Sequence, residues 1–494
     1  MTSMTQHIDI AGSHDRDDRL ARMVPAAVLV YLAVQCAARV AAPGGLTIDE
    51  AEQMVATQAL EWGYSTQPPL YTWIQMAVFE ATGPGKLGLA AVKAGLLAST
   101  YLGVWTLMRQ LRAGPTLAAV AVVGALLLPS LSYEAQKDLT HSVLATALAV
   151  WTTCLAVAAL RRPTMPGFAA LGLLIGAGLL AKWNFAILLI GLIPAIALDP
   201  RARGHLGGWL LCAAVALAVI ALPAGWILSN WAVSTSGASK FAITQAPYLQ
   251  RVVQAAGEYG MALLSACGLL VLAFLAGFDL RAARKAAGDE TDADRALLQR
   301  CVILAIAATG LLTIALGATE VRERWLLPVL VLVPAALALW LGAGLTARRF
   351  HLFLGLGAAL MLALAVALPL NMARGGRNPA HAAIPFDRAA EAMELNDQLV
   401  LVSDRMIAGN LRNVRPDLAV VTPDMPGLLA GRPADFAIWG ARDDRPADLP
   451  APLPALVSAR GDQADFAQHS VVTLPYPAPH QDRNYSFYRV EVAQ

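Results

Sequence analysis

Eleven apolar stretches, each near the length that crosses a bilayer, constrain the fold of this 494-residue chain more than any other feature. A helix needs about 20 apolar residues to cross the hydrocarbon core of a bilayer. The span is helical because hydrocarbon offers no hydrogen-bond partner to an unpaired backbone group. The stretches lie at 23–42, 87–108, 115–131, 141–160, 167–181, 183–198, 206–226, 259–278, 300–318, 325–345 and 352–370. They predict a mainly α, polytopic membrane protein with about eleven transmembrane helices.

The region 167–198 departs from this pattern, because Lys182 interrupts it. It is too long for one helix and too short for two full spans, so short or re-entrant helices are expected there.

The composition agrees with a membrane protein. Hydrophobic residues make up 57% of the chain and charged residues 15%, against roughly 25% charged residues in soluble domains. A net charge of +2 gives no basis for binding nucleic acid, so membrane lipids are the expected surroundings. All five cysteines lie inside apolar stretches without a CxxC or Cys/His cluster, which argues against a disulfide framework or a zinc site.

The distribution of Lys and Arg between loops predicts the orientation. One set of loops is rich in them, and by the positive-inside rule it is cytoplasmic, together with the segment 1–22. Its basic residues are Arg16, Arg19, Arg22, Arg109, Arg112, Arg161, Arg162, Arg201, Arg203, Arg281, Arg284, Lys285, Arg348 and Arg349. The outer side would then carry the first loop 43–86, the loops 131–140, 228–258 and 319–324, and the tail.

The tail 371–494 lacks any span and is rich in Pro, Asp and Arg. Following the membrane domain 23–370, it predicts a small C-terminal α/β domain on the outer face. The expected strands and the helix between the first two lie at 399–403, 418–422, 436–439, 486–492 and 404–411.

The first outer loop carries acids that a connecting loop does not need. Asp49 and Glu50 begin a predicted surface helix with Thr47 as a candidate N-cap. Acids in a first turn favour the helix dipole, which is the structural alternative. A carboxylate here also suits a general base for an acceptor hydroxyl, while its neighbour orients it or holds a cation.

Other ionisable residues lie at predicted outer helix ends, where proximity to the bilayer makes them costly. Asp138, beside Lys137 and His141, is either a helix cap or a second carboxylate of the site. Lys182 either extends its charge to the interface or binds phosphate. Arg322 and Arg324 form either a salt-bridged loop or a phosphate site.

These motifs together resemble the family 39 glycosyltransferases, which include the protein O-mannosyltransferases and the aminoarabinose transferases that modify lipid A. The resemblance rests on Asp49-Glu50, Gly63-Tyr64 and the run Gln67-Pro68-Pro69-Leu70-Tyr71-Thr72-Trp73. It continues in Lys137-Asp138, in Gly176 to Trp183 and in Arg324-Trp325-Leu326-Leu327-Pro328, and covers roughly residues 23–370.

The resemblance implies a GT-C fold and an inverting transfer from a polyprenyl-phosphate-linked sugar donor to a glycan or lipid acceptor. By the family pattern Asp49 is the catalytic base and Asp138 a second catalytic-site residue, with Lys182, Arg322 and Arg324 near the donor phosphate. The predicted substrate-binding residues are Glu50, Tyr64, Gln67, Tyr71, Lys137, His141, Lys182, Arg322 and Arg324.

Two departures from the family limit this transfer of roles. Thr66-Gln67 stands where the aminoarabinose enzymes carry Glu-Lys, so the metal and phosphate roles of that pair do not carry over. No cofactor is predicted, and a divalent cation stays open. The β-trefoil insert of the eukaryotic mannosyltransferases is absent, which favours an envelope lipid, such as lipid A, or a polysaccharide over a protein acceptor.

The expected location is the bacterial inner membrane, with the active site and the C-terminal domain on the periplasmic side. The alternative functions are a transporter or flippase of a lipid-linked glycan, a protein O-glycosyltransferase and a non-catalytic sensor. A transporter would favour paired, broken repeats, and the sequence has no such symmetry.

Overall fold

The computed structural model describes residues 2–237, 246–286, 292–374, 379–443 and 448–493. Part of the outer loop predicted at 228–258 therefore lies outside the described residues. The helices of the membrane part are α1 (Thr2–Ala41), α2 (Ile48–Ala56), α3 (Leu70–Thr82), α4 (Lys86–Gln110), α5 (Pro115–Leu126), α6 (Ala135–Lys137), α7 (Thr140–Arg161), α8 (Met165–Ala181), α9 (Ala186–Ala197), α10 (Leu206–Ser229), α11 (Trp231–Thr235), α12 (Tyr248–Gly277), α13 (Leu280–Ala286), α14 (Ala293–Leu316), α15 (Leu327–Leu330), α16 (Val333–Leu341) and α17 (Ala347–Arg374).

Eight of the described helical segments are long and apolar enough to cross a membrane. The pair Pro115–Leu126 and Ser130–Lys137, bent by 73°, would add a ninth crossing, and α8 and α9 are shorter apolar helices. All eleven predicted stretches fall on helices, so the polytopic α fold is confirmed. Helix α1 runs from Thr2 through the first predicted span, and α17 continues past residue 370 to Arg374, while the domain boundaries at residues 22 and 370 stay predictions.

The outer surface of the bundle is apolar, as a lipid-facing surface requires. On α10 the side chains of Leu210, Leu217, Leu222 and Leu228 are each more than 60% exposed. The most enclosed span is α7, where hydroxyl side chains such as that of Thr146 donate to carbonyls of the preceding turn. This helix forms the interior wall against which the site is built.

The chain breaks between α8 and α9 at Lys182. Lys182 has extended dihedral angles, and a single 3-10 turn (Trp183–Phe185) follows it. Gly178 permits the reversal, because a Cβ there would overlap the Phe185 ring. The Lys182 Nζ donates to Ser142 Oγ on α7 at 2.6 Å, which holds this cation at the end of the bundle. The prediction of two short helices here is confirmed.

A short loop between α14 and α15 carries the predicted Arg residues. Gly317 ends α14 in the left-handed conformation, and Glu323–Trp325 forms a 3-10 turn before α15. Glu323 accepts from Ser130 at 3.4 Å and from Ser265 at 2.9 Å. These two bonds connect the loop to neighbouring segments of the bundle.

The C-terminal part is a five-stranded mixed sheet with helices, which confirms the predicted α/β domain. Its elements are α18 (Phe386–Ala392), β1 (Leu399–Val402), α19 (Arg405–Val414), β2 (Ala419–Val421), β3 (Phe436–Arg442), α20 (Pro452–Ala459), β4 (Ser470–Pro475) and β5 (Asn484–Glu491). The strand order is β2-β1-β3-β5-β4, with β2, β1 and β3 parallel and the other pairs antiparallel. The sequence missed β4, a largely exposed edge strand, and also α18 and α20.

The C-terminal domain packs directly on the first loop, through α19 against α2. Asn410 accepts from the backbone N–H of Leu46 at 2.6 Å and donates to its carbonyl at 3.3 Å. Gln58 makes two bonds of 2.8 and 2.9 Å to the backbone of Val420, which closes the edge of the sheet. The loop that carries Asp49 is therefore held by the membrane helices and by the C-terminal domain together.

Candidate active site

Asp49 and Asp138 lie side by side, each fixing the backbone of the other's segment. Asp138 follows α6, and its Oδ1 accepts from the Asp49 N–H at 3.0 Å and from Thr47 Oγ1 at 3.1 Å. In return the Leu139 N–H donates to Asp49 Oδ2 at 3.1 Å. Two predicted catalytic residues, far apart in sequence, thus meet at the adjoining ends of α2 and α7.

The two carboxyl groups differ in environment. Asp49 lines an apolar-walled cavity at this end of the bundle, whereas Asp138 is not part of the cavity lining. Burial, together with the neighbouring Asp49 charge, raises the pKa of Asp138 to about 7. Asp138 therefore holds a proton close to neutral pH while its neighbour faces the cavity.

Glu50 points away from the cavity into a buried ion-pair cluster. Its carboxylate lies 2.5 Å from Arg39 Nη2 and 3.2 Å from Lys93 Nζ, and it accepts from the Thr47 N–H at 3.1 Å. Burial alone would raise the pKa of Glu50, but Lys93 and Arg39 outweigh it and hold the pKa well below its usual range. This arrangement positions α2, and a substrate contact by Glu50 stays a prediction.

The cavity in front of Asp49 has a volume of about 590 Å³. Charged side chains from four regions of the chain line it, namely Asp49, Glu52, Lys182, Arg322, Arg324 and Arg405. Apolar side chains complete it, among them Trp183, Ile187, Ile190, Leu312, Leu316 and Trp325. A chamber with cations near a carboxylate and a wide apolar wall suits an anionic, lipid-linked molecule.

Five of the predicted site residues share this cavity: Asp49, Gln67, Lys182, Arg322 and Arg324. Arg322 is ion-paired with Glu320. The backbones of Gln67 and Tyr64 pair through two hydrogen bonds, which bring the Gln67 side chain to the cavity rim.

The remaining predicted residues do not line it. Tyr64 is buried with its hydroxyl donating to the Ala59 carbonyl at 2.8 Å, and burial raises its pKa to about 12. Tyr71 is fully buried with its ring 5.2 Å from that of His141, between α3 and α7. Lys137 lies over the Tyr133 ring at 5.7 Å. Their predicted substrate contacts remain predictions, and in this structure they form the layer behind the site.

Two charged residues of the cavity, Glu52 and Arg405, were not among the predicted site residues. Glu52 lies one turn after Asp49 on the same face of α2, a spacing that marks it as a candidate. Arg405 follows β1 at the start of α19, and its Nη1 lies 2.7 Å from Glu52 Oε2. The sequence feature that could have identified Arg405 is its position shortly after β1, because α/β domains place binding residues at the carboxyl ends of parallel strands.

Among the described residues, no group of three or more His, Cys, Asp or Glu side chains is arranged to hold a metal ion. The cavity lining carries the carboxylates of Asp49 and Glu52 and the cations Lys182, Arg322, Arg324 and Arg405, together with uncharged polar side chains such as Gln67.

Comparison with known proteins identifies the family. The family model for dolichyl-phosphate-mannose-protein mannosyltransferase matches residues 66–226. The lipopolysaccharide core galacturonosyltransferase RgtB of Rhizobium johnstonii is 31% identical over 480 residues, covering 94% of this chain and 96% of that protein. RgtA of the same organism is 32% identical over 500 residues, covering 95% of this chain and 97% of that protein.

A solved structure shares the fold. ArnT from Cupriavidus metallidurans, bound to undecaprenyl phosphate, aligns with a TM-score of 0.60 and 13% identity, covering 93% of this chain and 96% of that chain. The expected GT-C membrane fold is confirmed, and the protein is an enzyme rather than a transporter or a sensor. The chain belongs to the family of membrane glycosyltransferases that includes the lipopolysaccharide core galacturonosyltransferases RgtA and RgtB.

Proposed function

We propose that this glycosyltransferase moves a uronic acid from a polyprenyl-phosphate donor to the lipopolysaccharide core in one inverting displacement. The observation that carries the proposal is the joint lining of one cavity by Asp49 and by the cations Lys182, Arg322 and Arg324. The sugar and the acceptor follow the names of two relatives that match nearly the whole chain.

The cations suit the leaving group. The donor phosphate is a diester that becomes a monoester, so negative charge grows on a phosphate oxygen during the reaction. Lys182, held by Ser142, and the two Arg residues would stabilise that charge without having to reorganise. A polyprenyl phosphate is also the ligand in the structure that shares this fold.

The apolar wall suits the prenyl chain. Leu312 and Leu316 line the cavity one turn apart on α14, and both are more than half exposed on the surface of the bundle. The wall thus continues from the cavity to the lipid-facing surface, so that a donor enters sideways with its tail still among the lipids.

Asp49 is the proposed base. The Leu139 N–H fixes one of its oxygens, and the carboxylate keeps lone pairs for the proton of an acceptor hydroxyl. Attack from the side opposite the phosphate gives inversion without a covalent intermediate. Asp138 acts as a positioning residue, since it bonds the Asp49 backbone and lies outside the cavity lining.

The proposed location is the inner membrane of a bacterium, with the cavity and the C-terminal domain on the periplasmic side. The basic loops at the opposite helix ends, which contain Arg109, Arg161 and Arg203, support this orientation.

The test combines a deletion strain with the purified enzyme. We expect mass spectrometry of lipopolysaccharide to show the loss of one uronic-acid residue in the deletion strain, restored by the wild-type gene but not by Asp49→Asn. Purified enzyme should transfer the sugar from polyprenyl phosphate and not from a nucleotide sugar. Unchanged envelope glycans in the deletion strain, or transfer from a nucleotide sugar, would contradict the proposal.

The phosphate site is tested by binding. Charge removal at Lys182 or Arg324 should weaken the binding of polyprenyl phosphate by roughly 1.5–3 kcal/mol, the usual contribution of a charged hydrogen bond. Lys86→Gln is the matched control, because Lys86 also lies at a helix end but donates to the Ala42 carbonyl and does not line the cavity. Unchanged affinity in the variants would rule out this assignment.

A further inference from the structure

Arg405 brings a charge of the C-terminal domain into the catalytic cavity. It is the first residue of α19, whose N-cap is Asp404, and its guanidinium lies 2.7 Å from Glu52. Glu52 raises the pKa of Arg405, and Asp424, Asp49 and Asp138 add to this effect, so these acids lie within electrostatic range of it. Arg405 therefore lines the same cavity as the proposed base but belongs to a different domain.

The ion pair leaves part of this guanidinium available. The Glu52 side chain is 4% exposed, whereas that of Arg405 is 28% exposed and lines the cavity. A guanidinium has five N–H donors, and the Glu52 carboxylate engages it through Nη1. The remaining edge can meet a planar anion with two parallel hydrogen bonds.

Cationic side chains outnumber anionic ones in the cavity lining, and two of the cations, Arg322 and Arg405, are each paired with a Glu side chain. Four cationic and two anionic side chains line it among the described residues, while a neutral sugar on a polyprenyl phosphate carries one negative charge. The proposed phosphate site already uses Lys182, Arg322 and Arg324. Arg405 remains as a cation on the side of Asp49, where the sugar and the acceptor meet.

We infer that Arg405 binds the carboxylate of an acidic sugar at the Asp49 end of the cavity. The inference rests on the proposed function and extends it, because the C-terminal domain then selects the substrate through a direct contact. The carboxylate belongs either to the transferred uronic acid or to an acidic sugar of the acceptor. Either carboxylate would lie within reach of Arg405, because Asp49 faces the position where the donor sugar and the acceptor become joined.

The two sources are separated by a crossed assay of wild type and Arg405→Gln. Each enzyme is given uronosyl or hexosyl polyprenyl phosphate, with an acidic acceptor or the same acceptor reduced to the alcohol. We expect kcat/KM to fall about tenfold or more, the factor for one charged hydrogen bond, only where the bound carboxylate is present. Loss confined to the uronosyl donor identifies the donor, and loss confined to the acidic acceptor identifies the acceptor.

Two further variants separate binding from folding. Arg405→Lys keeps the charge beside Glu52 but lacks the planar fork, so it should lower the same ratio by a smaller factor. Arg412→Gln is the matched control, because Arg412 lies two turns later on α19, donates to the Met54 carbonyl and does not line the cavity. It should lower the melting temperature without altering the ratio between acidic and neutral substrates.

Equal loss with all four substrate pairs, or no loss in either Arg405 variant, would overturn the inference while the proposed function stands. An inactive wild type with every polyprenyl-phosphate donor would overturn the proposed function and this inference with it.

Discussion

At the residue scale, the site depends on the reciprocal bonds between Asp49 and Asp138. Each carboxylate accepts a backbone N–H from the segment that carries the other, so the ends of α2 and α7 hold each other in place. Asp49 is left facing the cavity, and the buried Glu50 cluster secures the same turn from behind. Adjacent acids of one motif thus lie in separate environments, with Asp49 facing the cavity and Glu50 in a buried ion-pair cluster.

Asp49→Asn is expected to lower the transfer rate by roughly 10²–10⁴-fold, the usual contribution of a general base. The amide oxygen still accepts from Leu139, so the melting temperature should stay near that of wild type. Turnover is measured with purified enzyme, with Asp387→Asn in the first turn of α18 as the control. Near-normal turnover of the Asp49 variant would remove Asp49 from the role of base.

Asp138→Asn is expected to be more stable than wild type at pH 8. The pKa of Asp138 is about 7 in the folded protein, against the usual 3.8 expected for the unfolded chain. Below about pH 4 the carboxyl group is protonated in both states. Between about pH 4 and 7 only the folded state holds the proton, so the free energy of unfolding falls as the pH rises. At about 1.4 kcal/mol per pKa unit, a shift of about three units costs on the order of 4 kcal/mol, which Asn does not incur.

Melting temperatures in detergent between pH 5 and 8 measure the effect. The advantage of the Asn variant should grow with pH and level off above 7, while Asp397→Asn, an exposed substitution, should differ little from wild type throughout. An advantage that is independent of pH would refute the raised pKa.

At the scale of elements, the contact between α2 and α19 determines where Asp49 lies. Gly409 makes this contact, because a Cβ there would overlap the Ala51 carbonyl oxygen. The neighbour is backbone, so it cannot move aside as the end of a flexible side chain would. The first loop and the C-terminal domain should therefore respond as one unit to changes at this contact.

Gly409→Ala is expected to lower the free energy of unfolding by about 1–3 kcal/mol and to reduce transfer, because α2 must shift. Gly427→Ala in the same domain is the control, since a Cβ there meets nothing within 4 Å. Thermal unfolding and turnover are measured on both variants. Wild-type values for Gly409→Ala would mean that the contact does not position α2.

At the scale of the whole molecule, the proposed orientation sets the inner loops and the C-terminal domain on opposite sides of the membrane. Asp397→Cys in the exposed part of the C-terminal domain should react with a membrane-impermeant thiol reagent in intact spheroplasts. Arg203→Cys, in the exposed loop after α9, should react only after lysis. The wild-type chain, whose cysteines lie in spans, gives the background, and the reverse labelling pattern would invert the proposed topology.

The sequence by itself determined the elements that follow from local composition. Bilayer thickness demands a run of apolar residues, so all eleven helical stretches could be located, including the break at Lys182. Four strands of the C-terminal sheet were predicted for a similar reason, since β1, β2, β3 and β5 contain compact apolar or aromatic runs. The edge strand β4 was not predicted although it contains Val471, Val472 and Leu474, and its side chains are largely exposed in the structure.

Only the tertiary structure decided which charges meet. Asp49, Lys182, Arg322 and Arg324 were candidates from sequence, but nothing local predicts that they line one cavity. The pairs of Glu50 with Arg39 and Lys93, and of Glu52 with Arg405, join segments that are distant along the chain. The energy of an ion pair depends on the distance between its charges and on their burial, and neither property produces a repeating pattern in the sequence.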